Sequence, residues 1–403
     1  MKYDFTSLLD RHGQDAMAVD AKHVYHTDLA ATVKEGFDRI PMWVADMNFP
    51  TAPSIQRAVI ERMQHPAFGY FQPRDAYYEA IQRWHASHDG LKDIPREAIG
   101  YENGVLGGVV SALRVFCQEG DNVLVHSPTY IGFTATLKNN GFNIVHSPLK
   151  VDGDGVWRMD YEDMERRIKA KNIHAAILCS PHNPCGRVWS REELETAMEI
   201  FRRNDVYVIA DEIWSDLTMP GHHHIPAQSI SEDARERTVA LYAPSKTFNL
   251  AGLVGSYHII FNKYIRDRVK KQSSLSHYNE MNVLSMHALI GAYSDEGAEW
   301  LEELRVVLDG NAKFACDYIE EHFDGVKAAR PEGTYMLFID CEEWCAAHDV
   351  SMDDLVEAGI EVGVNWQDGR YFGGSHTIRL NLASPLSRIE QAFERLDKYV
   401  FNK

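Results

Sequence analysis

The sequence predicts an α/β fold, with a mostly parallel sheet in a large domain and a smaller α+β domain towards the C-terminus. Two observations predict it. Short, unbroken apolar runs alternate with amphipathic helical patterns through the middle of the chain. Past about residue 295 the pattern changes to one long helical stretch followed by strand-like runs.

The apolar runs are AIGYE (98–102), NVLVHSP (122–128), FNIVHSP (142–148), HAAILCSP (174–181), VYVIADE (206–212), TVALYAP (238–244) and SYHIIF (256–261). Runs without alternation suit strands covered on both faces. Helical patterns lie between several of them. SREELETAMEIFRRN opens on Ser190 with Glu193 three residues on, a capping box. GGVVSALRVFCQEG is expected to end at Gly120. A helix over roughly 295–322 leads into TYMLFIDCEEW, IEVGVNW and TIRLNLASP, and a last helix is expected at about 387–401. The division that follows is a segment 1–50 packing with the small domain, a large domain over 51–292 and a small domain over 293–403.

The 403 residues include 41 basic and 59 acidic side chains, a formal net charge of −18. Such a surface repels phosphate backbones and anionic lipids, so neither nucleic acid nor a membrane is the expected partner. No apolar run is long enough to span a bilayer, and the charged N-terminal stretch MKYDFTSLLDRHGQDAMAVD lacks the apolar core of a signal peptide. The six cysteines are scattered and form no C-x-x-C pair, which suits reduced thiols in a cytoplasmic protein. Cys185, within an NPCG turn, is expected to be inert. His222, His223 and His224, between Pro220 and Pro226, are expected in a surface loop, with no metal.

In open α/β sheets, ligands sit beyond the C-terminal ends of the strands. After AIGYE, Gly104, Gly107 and Gly108 open a helix whose exposed N–H groups would suit a phosphate. After NVLVHSP comes Tyr130, able to stack on a flat ring. After HAAILCSP comes Asn183, whose amide could bond a phenolate oxygen. After VYVIA comes Asp211, a carboxylate that needs a positive partner. After TVALYAP come Ser245 and Lys246, a lysine made nucleophilic by partial desolvation. Singly, Tyr130 also fits an ordinary core tyrosine and Asn183 a bare turn. Together they match the needs of pyridoxal 5'-phosphate, with Lys246 carrying it as a Schiff base and Asp211 holding its ring nitrogen protonated. Order and spacing carry this reading: Asn183 to Asp211 is 28 positions and Asp211 to Lys246 is 35.

HNPCG, ADEIW and SKTFNLAGLVGS, in this order, resemble the fold-type I pyridoxal-phosphate enzymes, the aspartate aminotransferase superfamily, along nearly the whole chain. PMWVADMNFP and FGY are similar to the MalY/PatB group of cystathionine β-lyases, or C–S lyases. The resemblance implies a catalytic set of Lys246, Asp211 and Tyr130. It implies that Asn183 bonds the ring oxygen, that Val105, Leu106 and Ser245 contact the phosphate, and that Trp214 borders the cofactor. It further implies that Tyr70 reaches the phosphate of the neighbouring subunit in a homodimer. Substrate would be held by Arg379 through its α-carboxylate, with Val44 and Ala45 alongside. On its own the TIRLNLA alternation leaves Arg379 open between a carboxylate clamp and a solvated strand face.

This chain departs from many aminotransferases at three positions. Trp214 stands where they carry tyrosine, Val254 where they carry a phosphate-binding arginine, and Ala243 where serine is common. The implied activity is β-elimination from cystathionine or another S-substituted cysteine, giving a thiol, pyruvate and ammonia. The alternatives are an aminotransferase, which shares the steps up to the carbanion, and a cofactor-carrying regulator acting through a protein partner.

Overall fold

The computed structural model describes residues 1–21, 32–153, 155–275 and 279–402. The chain enters through β1 (Ile40–Pro41) and then builds an eight-stranded sheet. Its strands are β2 (Ile99–Glu102), β3 (Asn122–Ser127), β4 (Asn143–Val151), β5 (Trp157–Met159), β6 (Ala175–Cys179), β7 (Tyr207–Asp211), β8 (Thr238–Tyr242) and β9 (Ser256–Ile259). Their spatial order is β2-β9-β8-β7-β6-β3-β4-β5. Pairing is parallel from β4 to β8, while β9 runs against both its neighbours and β5 against β4. Strands β2, β3, β6, β7 and β8 therefore end on one edge, and the five candidate segments of the sequence follow those ends.

The unbroken apolar runs are explained by the two faces of this sheet. Strands β6, β7 and β8 are buried at every position but Tyr207. Ile177, Ile209, Val239 and Leu241 pack on one side with Val109 and Leu113 of the helix Val105–Phe116. Ala176, Leu178, Val208, Ala210 and Tyr242 pack on the other. Each strand residue thus alternates between two apolar layers rather than between core and water.

Two expectations differ from the structure, one in pattern and one in boundary. Strand β4 alternates buried Val145, Ser147 and Leu149 with exposed Asn143, His146 and Pro148, because near the sheet edge only one of its faces is covered. The helix from Val105 stops at Phe116, and Gly120 lies beyond it in a turn at φ +90° whose N–H meets the Gly141 carbonyl. The capping box is present: the Ser190 hydroxyl accepts from the Glu193 N–H, and Glu193 returns to the Ser190 N–H at 2.8 Å.

A helix at Asp295–His322 precedes a four-stranded antiparallel sheet. It contains β10 (Lys327–Ala328), β11 (Met336–Asp340), β13 (Gln367–Asp368) and β14 (Thr377–Asn381), in the order β10-β11-β14-β13. The short strand β12 (Val364–Asn365) pairs in parallel with β1. The first residues also reach this region, since Lys2 and Tyr3 donate their N–H groups to Glu303 and Asp38 pairs with Arg388 and Arg395. The final helix is regular over Leu386–Leu396 and then widens into a π-turn over Asp397–Phe401. Among the described residues no helix is long and apolar enough to cross a membrane.

Candidate active site

The strand ends converge on a cavity of about 220 Å³, lined by Gly104 to Gly107, Tyr130, Asn183, Asp211, Trp214, Ser245, Lys246 and Val254. It adjoins a larger one of about 910 Å³, lined by Trp43, Val44, Ala45, Gln367 and Arg379 on one side and by residues of the N-terminal segment, including Arg11 and Met17, on the other. Tyr130, Lys246 and Ala45 border both. The structure thus brings together every residue expected at the site except Tyr70. That side chain is fully exposed and borders neither cavity.

Lys246 stands in the short helix Pro244–Thr247 directly after β8. Its amine donates to the Ala45 carbonyl at 2.9 Å and lies 5.7 Å from the centre of the Trp214 ring. Burial, then the nearby Arg379 charge, lowers its pKa to about 8, against the opposing pull of Asp46 and Asp211. Asp211 is the last residue of β7 and is buried. Its carboxylate accepts the Ile213 N–H at 3.1 Å, and burial pushes its pKa up to about 7 despite that bond and Lys246.

Tyr130 is the N-cap residue of the helix Ile131–Asn139. A side chain at Gly132 would strike its ring at 2.3 Å, so that glycine makes room for the aromatic. Burial raises the Tyr130 hydroxyl above its ordinary value. Asn183 sits in a reversal closed by the His182 and Arg187 bridge, with Gly186 at φ +69°. Its side-chain oxygen accepts from Arg379 at 3.2 Å. Gly104, at φ +79°, caps the helix Val105–Phe116, whose first N–H groups have no intrahelical acceptor and whose first residues line the cavity.

Arg379 lies in β14 opposite Phe338 and Gln367. It is 3% exposed, so the solvated strand face considered from the sequence does not hold. One of its terminal nitrogens donates to the Trp43 carbonyl at 2.8 Å and to Gln367 at 2.5 Å, and its plane lies 4.5 Å over the Phe372 ring. Its Nε has no partner, and no ion pair among the described residues involves it. Burial lowers its pKa to about 10, which leaves it charged at neutral pH.

Sequence reading missed the groups that hold this geometry. Asn381 donates to the carbonyls of Val44 and Asp46, both at 2.6 Å. Asn249 exchanges bonds with the Met47 backbone in both directions at 3.0 Å. Both fasten the MWVADM segment beside Lys246, and the sequence marks each only as an asparagine, in SKTFNLAGLVGS and in TIRLNLASP. His224 is also corrected. It is buried rather than part of a surface loop, with Nε2 3.1 Å from a Glu212 oxygen. Burial of Cys185 raises its thiol pKa well above the ordinary value.

The chain belongs to the class I and II aminotransferase family, whose model matches residues 40–396. It is 34% identical to the cystathionine β-lyase PatB of Bacillus subtilis, over 89% of this chain and 92% of that protein. It is 30% identical to the protein MalY of Escherichia coli over 96% of each. The solved structure of cystalysin from Treponema denticola, which contains pyridoxal 5'-phosphate, superposes with a TM-score of 0.91 at 32% identity, over 99% of both chains.

Proposed function

We propose that this protein is a pyridoxal 5'-phosphate-dependent carbon–sulfur β-lyase. It cleaves cystathionine or related S-substituted L-cysteines to a thiol, pyruvate and ammonia. The observation that carries this reading is Asp211 beside Lys246 at adjacent parallel strand ends, in a chain similar over most of its length to a cystathionine β-lyase.

The residues fit the cofactor. Asp211 is a buried carboxyl with one N–H donor, and a protonated ring nitrogen would supply its missing cation. The open amides at Val105 and Leu106, beside Ser245, suit a phosphate. Arg379 is a buried cation without a carboxylate, which an α-carboxylate would complete. When bound, the cofactor supplies a sink for the electron pair left at the substrate Cα.

Lys246 would anchor the cofactor and, as a free amine, would take the proton from the substrate Cα. A pKa near 8 suits both the nucleophile and the base. Asp211 would hold the ring nitrogen protonated, Asn183 would bond the ring oxygen, Tyr130 would cover a ring face and Trp214 would border it. Arg379 clamps the α-carboxylate, with Val44 and Ala45 alongside. Charge developed at Cα then expels a thiolate, a good leaving group, from Cβ. The enzyme works in the cytoplasm as a homodimer in which Tyr70 of one copy reaches the phosphate site of the other. Residues 51–292 form its cofactor domain, and 293–403 with 1–50 its small domain.

Cystathionine should give pyruvate at a rate indifferent to added keto acid, and alanine, with no leaving group, should turn over poorly. The match to an aminotransferase family model favours a second reading, transamination. Turnover that requires a keto acid would establish that reading in place of the first.

A further inference from the structure

The turns carrying Asp211 and Lys246 are tied together behind the cleft by two carboxylates to which the proposed reaction gives no part. The ladder between β7 and β8 ends at the pairing of Asp211 with Leu241, followed by one bond from the Glu212 N–H to the Leu241 carbonyl at 3.0 Å. Beyond it both chains leave the sheet. Strand alternation turns Asp211 towards the cleft and Glu212 towards the opposite layer, where Tyr242 also points. There the buried Glu212 accepts the Tyr242 hydroxyl, the Ala227 N–H at 2.8 Å and His224 at 3.1 Å. Tyr242 lies four residues before Lys246. One residue after Lys246, the buried Thr247 donates its hydroxyl to Asp216 at 2.8 Å. The other Asp216 oxygen accepts from the Trp84 indole at 2.8 Å. Lys246 is thus flanked on both sides by hydroxyls bonded to the segment that carries Asp211 and Trp214.

We propose that Glu212 and Asp216 are positioning residues, which fix the Asp211 carboxylate relative to the Lys246 amine through the hydroxyls of Tyr242 and Thr247. The inference rests on the reading of Asp211 and Lys246 as the cofactor-holding pair. Hydroxyl-to-carboxylate bonds are short and charge-assisted, so they hold position where the backbone ladder has ended. Reacting groups must be held to within about 0.5 Å, and a misplacement of about 1 Å can cost roughly 100-fold in rate.

The test uses the cofactor-loaded protein and the variants Tyr242→Phe, Thr247→Val, Thr247→Ser and the double variant Tyr242→Phe/Thr247→Val. Each is read by kcat and KM on cystathionine, by circular dichroism of the visible cofactor band and by thermal midpoint. In the double variant kcat should fall about 10- to 100-fold with KM changed less than about threefold, while the dichroic band falls by about half or more at full loading. Thr247→Ser, which keeps the hydroxyl, should return kcat to within about twofold of the parent, unlike Thr247→Val. A merely structural role moves the thermal midpoint, by about 1–3 °C per lost bond, and leaves the dichroic band and kcat in place. A loaded, folded double variant with kcat within about twofold of the parent overturns the proposal. So does Thr247→Ser as impaired as Thr247→Val, and that pair decides alone if Tyr242→Phe does not fold. Parent protein that binds no coloured cofactor would overturn the reading of the site itself, which separates the two failures.

Discussion

Asp211 and Glu212 are adjacent, both carboxylic and both buried, yet they meet opposite surroundings. Glu212 collects three donors and bonds to residues on two other segments. Asp211 collects a single N–H and faces a cavity, with its pKa pushed up to about 7. A buried carboxylate saturated with donors stabilises the fold, and one left short of donors is poised for an incoming cation. Burial alone therefore does not mark the functional residue. The count of satisfied acceptors does.

The largest separation between the two faces is expected in turnover. Asp211→Asn should retain the cofactor and lose about 10²- to 10³-fold in kcat, measured on cystathionine. Arg379→Lys removes the planar fork but keeps the charge, and should lower kcat/KM roughly 100-fold, mainly through KM.

In cofactor-free protein the comparison should invert. Glu212→Gln strips the charge from a buried pair and should cost about 3 kcal/mol in a denaturant titration. Asp211→Asn should instead stabilise. An acid raised from 3.8 to about 7 binds its proton more tightly when folded, so stability falls as pH rises between those values, and the penalty is complete above about 7. Asparagine escapes it, so its advantage should be absent near pH 4 and on the order of 4 kcal/mol at pH 8. Equal destabilisation of both variants at pH 8 would break the distinction. The smallest effect is expected at Val254, a β-branched residue at φ +48° on the cavity wall. Val254→Gly should gain about 1 kcal/mol by removing that strain, read as a rise in melting temperature.

Asn183, Asp211 and Lys246 were legible in the sequence because each follows an unbroken apolar run, and strand ends of one parallel sheet share an edge. The end of the helix from Val105 was less so, since the chain turns extended at Cys117, three residues before the glycine, whereas the last helix spans the expected stretch and differs only in closing on a π-turn. Arg379 could not be resolved from its own strand, because the groups that bury it, Trp43, Asn183 and Gln367, come from three separate segments. His224 was misjudged for the same reason: its partner Glu212 lies across a loop. The role proposed for Tyr70 depends on a second copy, and no pattern within one chain, where the side chain is fully exposed, encodes it.

The central claim is that Lys246 holds the cofactor. Protein loaded with pyridoxal 5'-phosphate, reduced with borohydride, digested and mapped by mass spectrometry should carry the adduct on the peptide containing Lys246, at close to one per chain. An adduct concentrated on any other lysine, or none above the level of unfolded protein, would contradict it.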